Sequence, residues 1–163
     1  MDRTVFPERS LYCSIAINNL NVNVLTFHSL TGVDYKKAKS SNFASIADFL
    51  ELHDSDIDFL CFDANEPKYD SMIQSEIICN DNRDKGTCAS LILGNNKVHS
   101  MKDAYVSYLL NTNQQVSDNP LTVSYRTRMS KKRYDYIYHH QKWTPNTVIY
   151  PYEESIAATS DHS

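Results

Sequence analysis

The residue pattern predicts an α/β fold built on a mixed, mostly antiparallel sheet with flanking helices, and it does so through three observations. Two β-branched, apolar runs, 11–17 and 20–27, are separated only by Asn18 and Asn19. A helical repeat follows, with Phe43, Ile46, Ala47, Phe49 and Leu50 falling on one face. A short apolar run (Ile57, Phe59, Leu60, Cys61, Phe62) then stops abruptly at Asp63-Ala64-Asn65, and Pro67 blocks its continuation.

The elements follow in order. Asparagine tolerates the left-handed conformation of a tight turn, so the first two runs predict a β-hairpin whose second strand ends at His28. The loop 29–39 carries Gly32 and the cations Lys36, Lys37 and Lys39, and Ser40, Ser41 or Asn42 is the expected cap of a helix running to His53. The strand 57–62 comes next. Strand, helix and strand of these lengths form a crossover unit, which places His28 and Asp63 at the same edge of nearby strands. From 67 to 85 no period is visible. Short helices are expected over 87–93 and 101–110, the second with Asp103 near its positive end. Residues 111–120 read as a loop, 121–125 as a strand, 134–138 as an aromatic strand containing Asp135, and 147–150 as a last strand. The stretch 126–133 holds Arg126, Arg128, Lys131, Lys132 and Arg133 without an acid.

Composition excludes several function classes. Apolar residues form 41% of the 163 and charged residues 22%, which supports a core and argues against disorder; the length suits one domain or part of a larger one. Three glycines, none in a phosphate-binding pattern, exclude a Gly-rich nucleotide loop. A net charge of −4 excludes a protein that coats polyanions generally, so local clusters must carry any nucleic-acid contact. Cys13, Cys61, Cys79 and Cys88 show no C-x-x-C pairing and read as buried, reduced thiols, pointing to a cytoplasmic compartment. No run approaches the roughly 20 apolar residues of a membrane span.

Asp63 and Asn65 stand two apart at a strand end, so in an extended backbone both side chains leave on one side. A carboxylate beside a carboxamide can orient water and donate to an oxyanion; the alternative is a plain turn, where both residue types are common. His28 closes a strand in the same way, and Asp135 needs a hydrogen-bond partner if it is buried.

Taken in order, Thr26-Phe27-His28-Ser29, Asp63-Ala64-Asn65, Lys102-Asp103-Ala104-Tyr105, Arg133-Tyr134-Asp135-Tyr136-Ile137 and Ser160-Asp161-His162 resemble the motifs of the endonuclease/exonuclease/phosphatase family, the DNase I-like metal-dependent phosphoesterases. The family's glycine before the aspartate is Phe62 here. The resemblance covers the second half of that family's four-layered α/β sandwich; the early Asn and the metal-binding Glu of the first half are not found. Residues 1–163 are therefore expected to be a partial domain that lacks the N-terminal half and the last strand.

The resemblance implies phosphodiester hydrolysis with Mg²⁺ or Mn²⁺ on nucleic acid or another phosphodiester. Asp63 would orient or deprotonate the water and Asn65 would hydrogen-bond the transition state. His162 would contact the phosphate or act as acid/base, held by Asp135. His28 would be a second phosphate-facing imidazole, and Asp161 would bind the metal. The cations of 36–39 and 126–133 would flank the site. As a fragment, the chain would be inactive or feeble alone and would expose an apolar sheet face to the missing half-domain or to itself. The alternatives are a non-catalytic remnant or interaction module of the same fold, and a phosphatase or sphingomyelinase-like phosphoesterase.

Overall fold

The computed structural model describes residues 4–31, 36–67, 69–72, 76–79 and 86–163. The hairpin forms as expected: β1 (Ser10–Ile17) and β2 (Leu20–His28) pair antiparallel in unbroken register, and Asn18 and Asn19 supply the positive φ values of 46° and 69°. Helix α1 (Lys36–His53) leads to β3 (Phe59–Asp63), which lies parallel to β2 and brings His28 level with Asp63. The crossover expectation is thus met.

Strands β4 (Tyr69–Ser71) and β5 (Glu76–Ile78) make a small separate ladder in the stretch whose sequence showed no period. Strand β6 (Lys102–Asp103) is followed by α2 (Ala104–Asn111), and Asp103 caps that helix by accepting from the amides of Tyr105 (2.9 Å) and Val106 (3.3 Å). Strands β7 (Tyr125–Arg126) and β8 (Lys131–Lys132) form a short hairpin. Strand β9 (Asp135–His139) runs antiparallel to β3, and α3 (Tyr152–Ala157) ends the order of elements. The main sheet runs β1-β2-β3-β9-β6.

One face of this sheet builds the core. Leu25, Phe27, Leu60, Phe62, Tyr136 and Tyr138 alternate along three neighbouring strands and meet Phe43, Ile46, Ala47 and Leu50 of α1. Phe62, immediately before Asp63, stacks between Phe27 (4.8 Å between ring centres) and Tyr136 (5.3 Å). Its ring is a core side chain and does not crowd the site.

The opposite face holds the residues out of phase with that core set. Near β3 and β9, Trp143 covers Phe59 and the segment 148–150 lies beside Cys61 and Ile137. On the β1 side the face stays open: Leu11, Ile15, Ile17 and Leu20 are 44–58% exposed. Four apolar side chains thus stand open together on that side.

Several expectations fail for identifiable reasons. Helix α1 is already under way at Lys36, so Ser40, Ser41 and Asn42 lie inside it and do not cap it; Gly32 of the preceding loop lies outside the described residues. The helix expected over 87–93 is a single 3-10 turn, Ala89–Leu91. The strand at 121–125 shrinks to β7, because Leu121 turns inward and its amide reaches Asp70 Oδ2 at 3.4 Å. Residues 147–150 form no strand; Tyr150 anchors them through its side chain, donating to the Asp135 carbonyl at 2.8 Å and packing edge-on to Tyr105. Of the four cysteines only Cys79 is buried; the other three are half-buried, and all four are free thiols.

His99 is buried against Tyr138, its Nε2 2.9 Å from the Ile92 carbonyl and its Nδ1 unpaired among the described residues. Burial pushes its pKa down to about 4 from the ordinary histidine value of 6.5, the nearby Lys97 charge acting in the same direction. The unfolded chain therefore takes up a proton that the folded chain refuses, and stability falls as the pH drops from 6.5 towards 4. About 2 kcal/mol should be lost between pH 7 and pH 5 from this residue alone. Urea titrations at both pH values should show that loss in the native protein and most of it removed in His99→Gln; equal losses in both would exclude the cause.

Candidate functional site

Three adjacent strands end on polar side chains at one level. His28 of β2 pairs in register with Asp63 of β3, and Asp63 pairs in register with Asp135 of β9. Register partners point to the same side of a sheet, here the side away from α1. His28 Nε2 lies 3.2 Å from Asp63 Oδ2. On the other flank, the chain returns after α3 and makes a single bridge between Tyr125 and His162, which brings His162 Nδ1 within 2.9 Å of Asp135 Oδ2. Four of the residues expected from the motifs, scattered over 135 positions of sequence from 28 to 162, thus converge on one edge.

Asn65 also meets Asp63, but not through an extended backbone. Asn65 adopts a φ of 50°, so the chain turns back: its amide N–H donates to Asp63 Oδ1 (2.8 Å), and its side-chain Nδ2 donates to Asp63 Oδ2 (3.1 Å) and to the Ser29 carbonyl (3.2 Å). The turn reading and the site reading are both satisfied, because the turn is what clamps the carboxylate. Both side-chain hydrogen bonds that Asn65 donates are directed inward, to Asp63 and to the Ser29 carbonyl.

Asp161 is placed differently from the other expected residues. It is exposed and stands apart from the groups that could share an ion, which are Asp63, Asp135 and His162, with one ligand atom from each lying within 4.8 Å of the others. The bridge at Tyr125 holds His162, while Asp161 sits exposed in the bend that the Ser160 hydroxyl closes by accepting from the His162 amide at 3.2 Å.

The electrostatics follow from this crowding. Burial raises the Asp63 carboxyl above its usual value; the Asn65 amide opposes that, the Asp135 charge adds to it, and the two imidazoles lower it. His162 moves up: burial disfavours its charged form, but the hydrogen bond and charge of Asp135 outweigh it, with Asp63 and Asp161 adding to the rise. A carboxylate made more basic than usual thus sits close to an imidazole made easier to protonate. Asp63 is reached from two openings: a cavity of about 350 Å³ shared with Asp135, Cys61 and Tyr150, and a groove of about 660 Å³ running past Arg9, Thr26 and His28.

Supporting residues carried no motif and were missed by sequence reasoning. Ser124 is fully buried; its Oγ accepts from the amides of Tyr134 (2.8 Å) and Asp135 (3.1 Å), and its carbonyl accepts from the Ser163 amide (2.9 Å). It therefore ties the strand bearing Asp135 to the tail bearing His162. Lys39, expected among the flanking surface cations, is buried; its ammonium donates to the Asn65 carbonyl (3.0 Å) and pairs with Glu66 (3.1 Å), bracing the Asn65 turn from α1. Arg133, also expected at the surface, is wholly buried. Of the expected flanking cations, Lys37, Arg126, Arg128 and Lys131 are exposed. No periodicity flags Arg133, since alternation places it out of phase with the buried Tyr136 and Tyr138 of the strand that follows.

Among the described residues no helix is long and apolar enough to cross a membrane. A scan against protein-family models and a search of curated proteins both return no match.

Proposed function

We propose that this site hydrolyses phosphodiesters with the help of a divalent cation, in the manner of the endonuclease/exonuclease/phosphatase family, with nucleic acid as the substrate class. The observation that carries the reading is the convergence of His28, Asp63, Asp135 and His162 on one strand-end edge, with Asp135 2.9 Å from His162 Nδ1. The donor set fits Mg²⁺ or Mn²⁺ in part. Asp63 and Asp135 are neighbouring carboxylates, the ligand type a hard cation takes, and they would hold the ion. A cation there would offset negative charge on the phosphate.

The chain's own groups supply the remaining roles. Asp63, clamped by Asn65, orients the attacking water. His162, oriented through Nδ1 by Asp135, presents its other nitrogen as the proton donor to the phosphate or leaving oxygen. His28 adds a second imidazole beside Asp63, and Asn65 acts as a positioning residue. Arg126, Arg128 and Lys131, exposed on the hairpin joined to His162 through Tyr125, suit a polyphosphate backbone.

A second reading, a phosphodiester-binding module without turnover, is favoured by the inward-directed Asn65 donors and by the position of Asp161 outside the ion-sized cluster. Two measurements decide between them. Mn²⁺ titration followed by NMR should broaden the signals of Asp63, Asp135 and His162 selectively, and supercoiled plasmid should be nicked in Mg²⁺ or Mn²⁺ by the native chain but not by Asp63→Ala or His162→Ala. Selective broadening and plasmid binding without nicking would assign the binding module. Nicking unchanged in both variants, or broadening spread over the surface, would overturn the enzymatic reading.

A further inference from the structure

Strand β1 is the edge of the main sheet, with β2 as its only ladder neighbour among the described residues. Its sequence, Ser-Leu-Tyr-Cys-Ser-Ile-Ala-Ile, contains no charge and no proline, and its register with β2 has no bulge. Those are the devices that ordinarily keep an edge strand from pairing with another chain. Six of its eight residues are exposed, including Leu11, Tyr12, Ile15 and Ile17. The two-residue loop at Asn18-Asn19 makes Ile17 and Leu20 the closing hydrogen-bonded pair, so Cys13 and Ile15 bond to β2 while the amides and carbonyls of Tyr12, Ser14 and Ala16 point outward.

We propose that β1 pairs antiparallel with β1 of a second copy of this chain, joining the two main sheets edge to edge. Three features select a second copy in a closed pair. Antiparallel pairing about a two-fold axis at Ser14 sets Leu11 opposite Ile17 and Cys13 opposite Ile15 of the second copy, so apolar meets apolar on the face away from α1. Arg9, just outside the strand, then lies at opposite ends of the joint; a parallel pairing would set the two guanidinium groups side by side. The other edge of the sheet is β6, two residues long and charged (Lys102, Asp103), so it offers no second template and the assembly stops at two copies.

The joint is independent of the catalytic reading, and its test does not use activity. Sedimentation of the native chain at high micromolar concentration should give twice the chain mass, with exchange at the amides of Tyr12, Ser14 and Ala16 slowing as concentration rises. Ser14→Lys sets two ammonium groups opposite each other across the axis without touching the β1–β2 ladder, and should yield a folded monomer. In a Cys13→Ser background, Ser14→Cys should oxidise to a covalent dimer, because residues directly opposite in such a pair fall within disulfide reach. Ile137→Lys, on the exposed sheet face but away from the edge, should leave the dimer intact. A monomer at all concentrations overturns the proposal. So does a dimer that survives Ser14→Lys and dissolves in Ile137→Lys, which would place the contact on the sheet face, and so does an open-ended series of oligomers or protection of these amides only by an added peptide.

Discussion

Arg133→Met is expected to destabilise the fold by about 3–5 kcal/mol, the range for removing one partner from a buried ion pair. Arg133 is fully buried and faces two acids at once. Its Nη2 donates to Asp103 Oδ2 at 2.6 Å and to Asp70 Oδ1 at 3.2 Å, Nη1 reaches Asp103 Oδ1 at 3.3 Å, and Nε makes an ion-pair contact of 2.8 Å with Asp70 Oδ2. The guanidinium also lies 4.5 Å over the Tyr136 ring. Two carboxylates, one of them buried, would be left without their cation. Asp70 already sits high: burial raises its carboxyl and Asp103 adds to that, while Arg133 only partly compensates.

The pH dependence of the loss follows from that. Without Arg133 the Asp70 carboxyl rises further, and a carboxyl with a raised folded-state pKa favours folding at low pH and loses that contribution as pH climbs through the folded value. The deficit of Arg133→Met should therefore be largest near pH 8 and shrink towards pH 5, the opposite slope to that of His99. Adding Asp70→Leu to Arg133→Met should recover part of the loss. Urea unfolding of the single and double variants measures both effects, and a deficit below about 1 kcal/mol at pH 8 would show that the cluster is not what holds β9 to α2.

Arg133 also marks where sequence reading stops. It belongs to a run of cations, and composition assigns such a run to solvent. What overrides that prior is tertiary: Asp70 and Asp103 come from 63 and 30 residues upstream, and only the folded sheet brings them together. Lys39 has the same history, its partner being the turn after β3. By contrast β1, β2, α1, β3 and β9 were legible because each has its own period and its own terminator, such as Asn18-Asn19 or the stop at Asp63.

The convergence of His28, Asp63 and Asp135 was legible for a related reason, since all three are the terminal residues of strands and strand ends share a level when the strands are in register. The orientation of Asp161 and the donors of Asn65 were not legible. Both depend on single backbone dihedrals or bridges, the positive φ at Asn65 and the Tyr125 contact at His162, which no periodicity encodes. The failed strand at 147–150 has β-branched residues but finds its anchors through Tyr150 and not through a ladder.

Asp135→Asn separates charge from geometry at the centre of the site. The substituted side chain can still accept from His162 Nδ1–H through its carbonyl, so the ring keeps its place. What disappears is the negative charge that, with its hydrogen bond, lifts His162 against the opposing effect of burial. The His162 imidazolium should consequently titrate at lower pH in the variant, a change that NMR of the ring protons reads without any assay of turnover. If His162 donates a proton during phosphodiester cleavage, activity declines as pH rises through its pKa, so the alkaline limb of the rate profile should move to lower pH in Asp135→Asn and the rate at pH 7.5 should fall by about 10²–10⁴. Stability should respond with the same sign. A histidine raised in the folded state contributes stability below the unfolded value of 6.5, and that contribution is lost as pH rises through the folded value. The native chain should therefore lose this increment on the alkaline side and Asp135→Asn should not. An unchanged His162 titration in the variant would mean that the 2.9 Å contact between Asp135 and His162 is not an ion pair in solution, and the acid–base assignment of the site would fall with it.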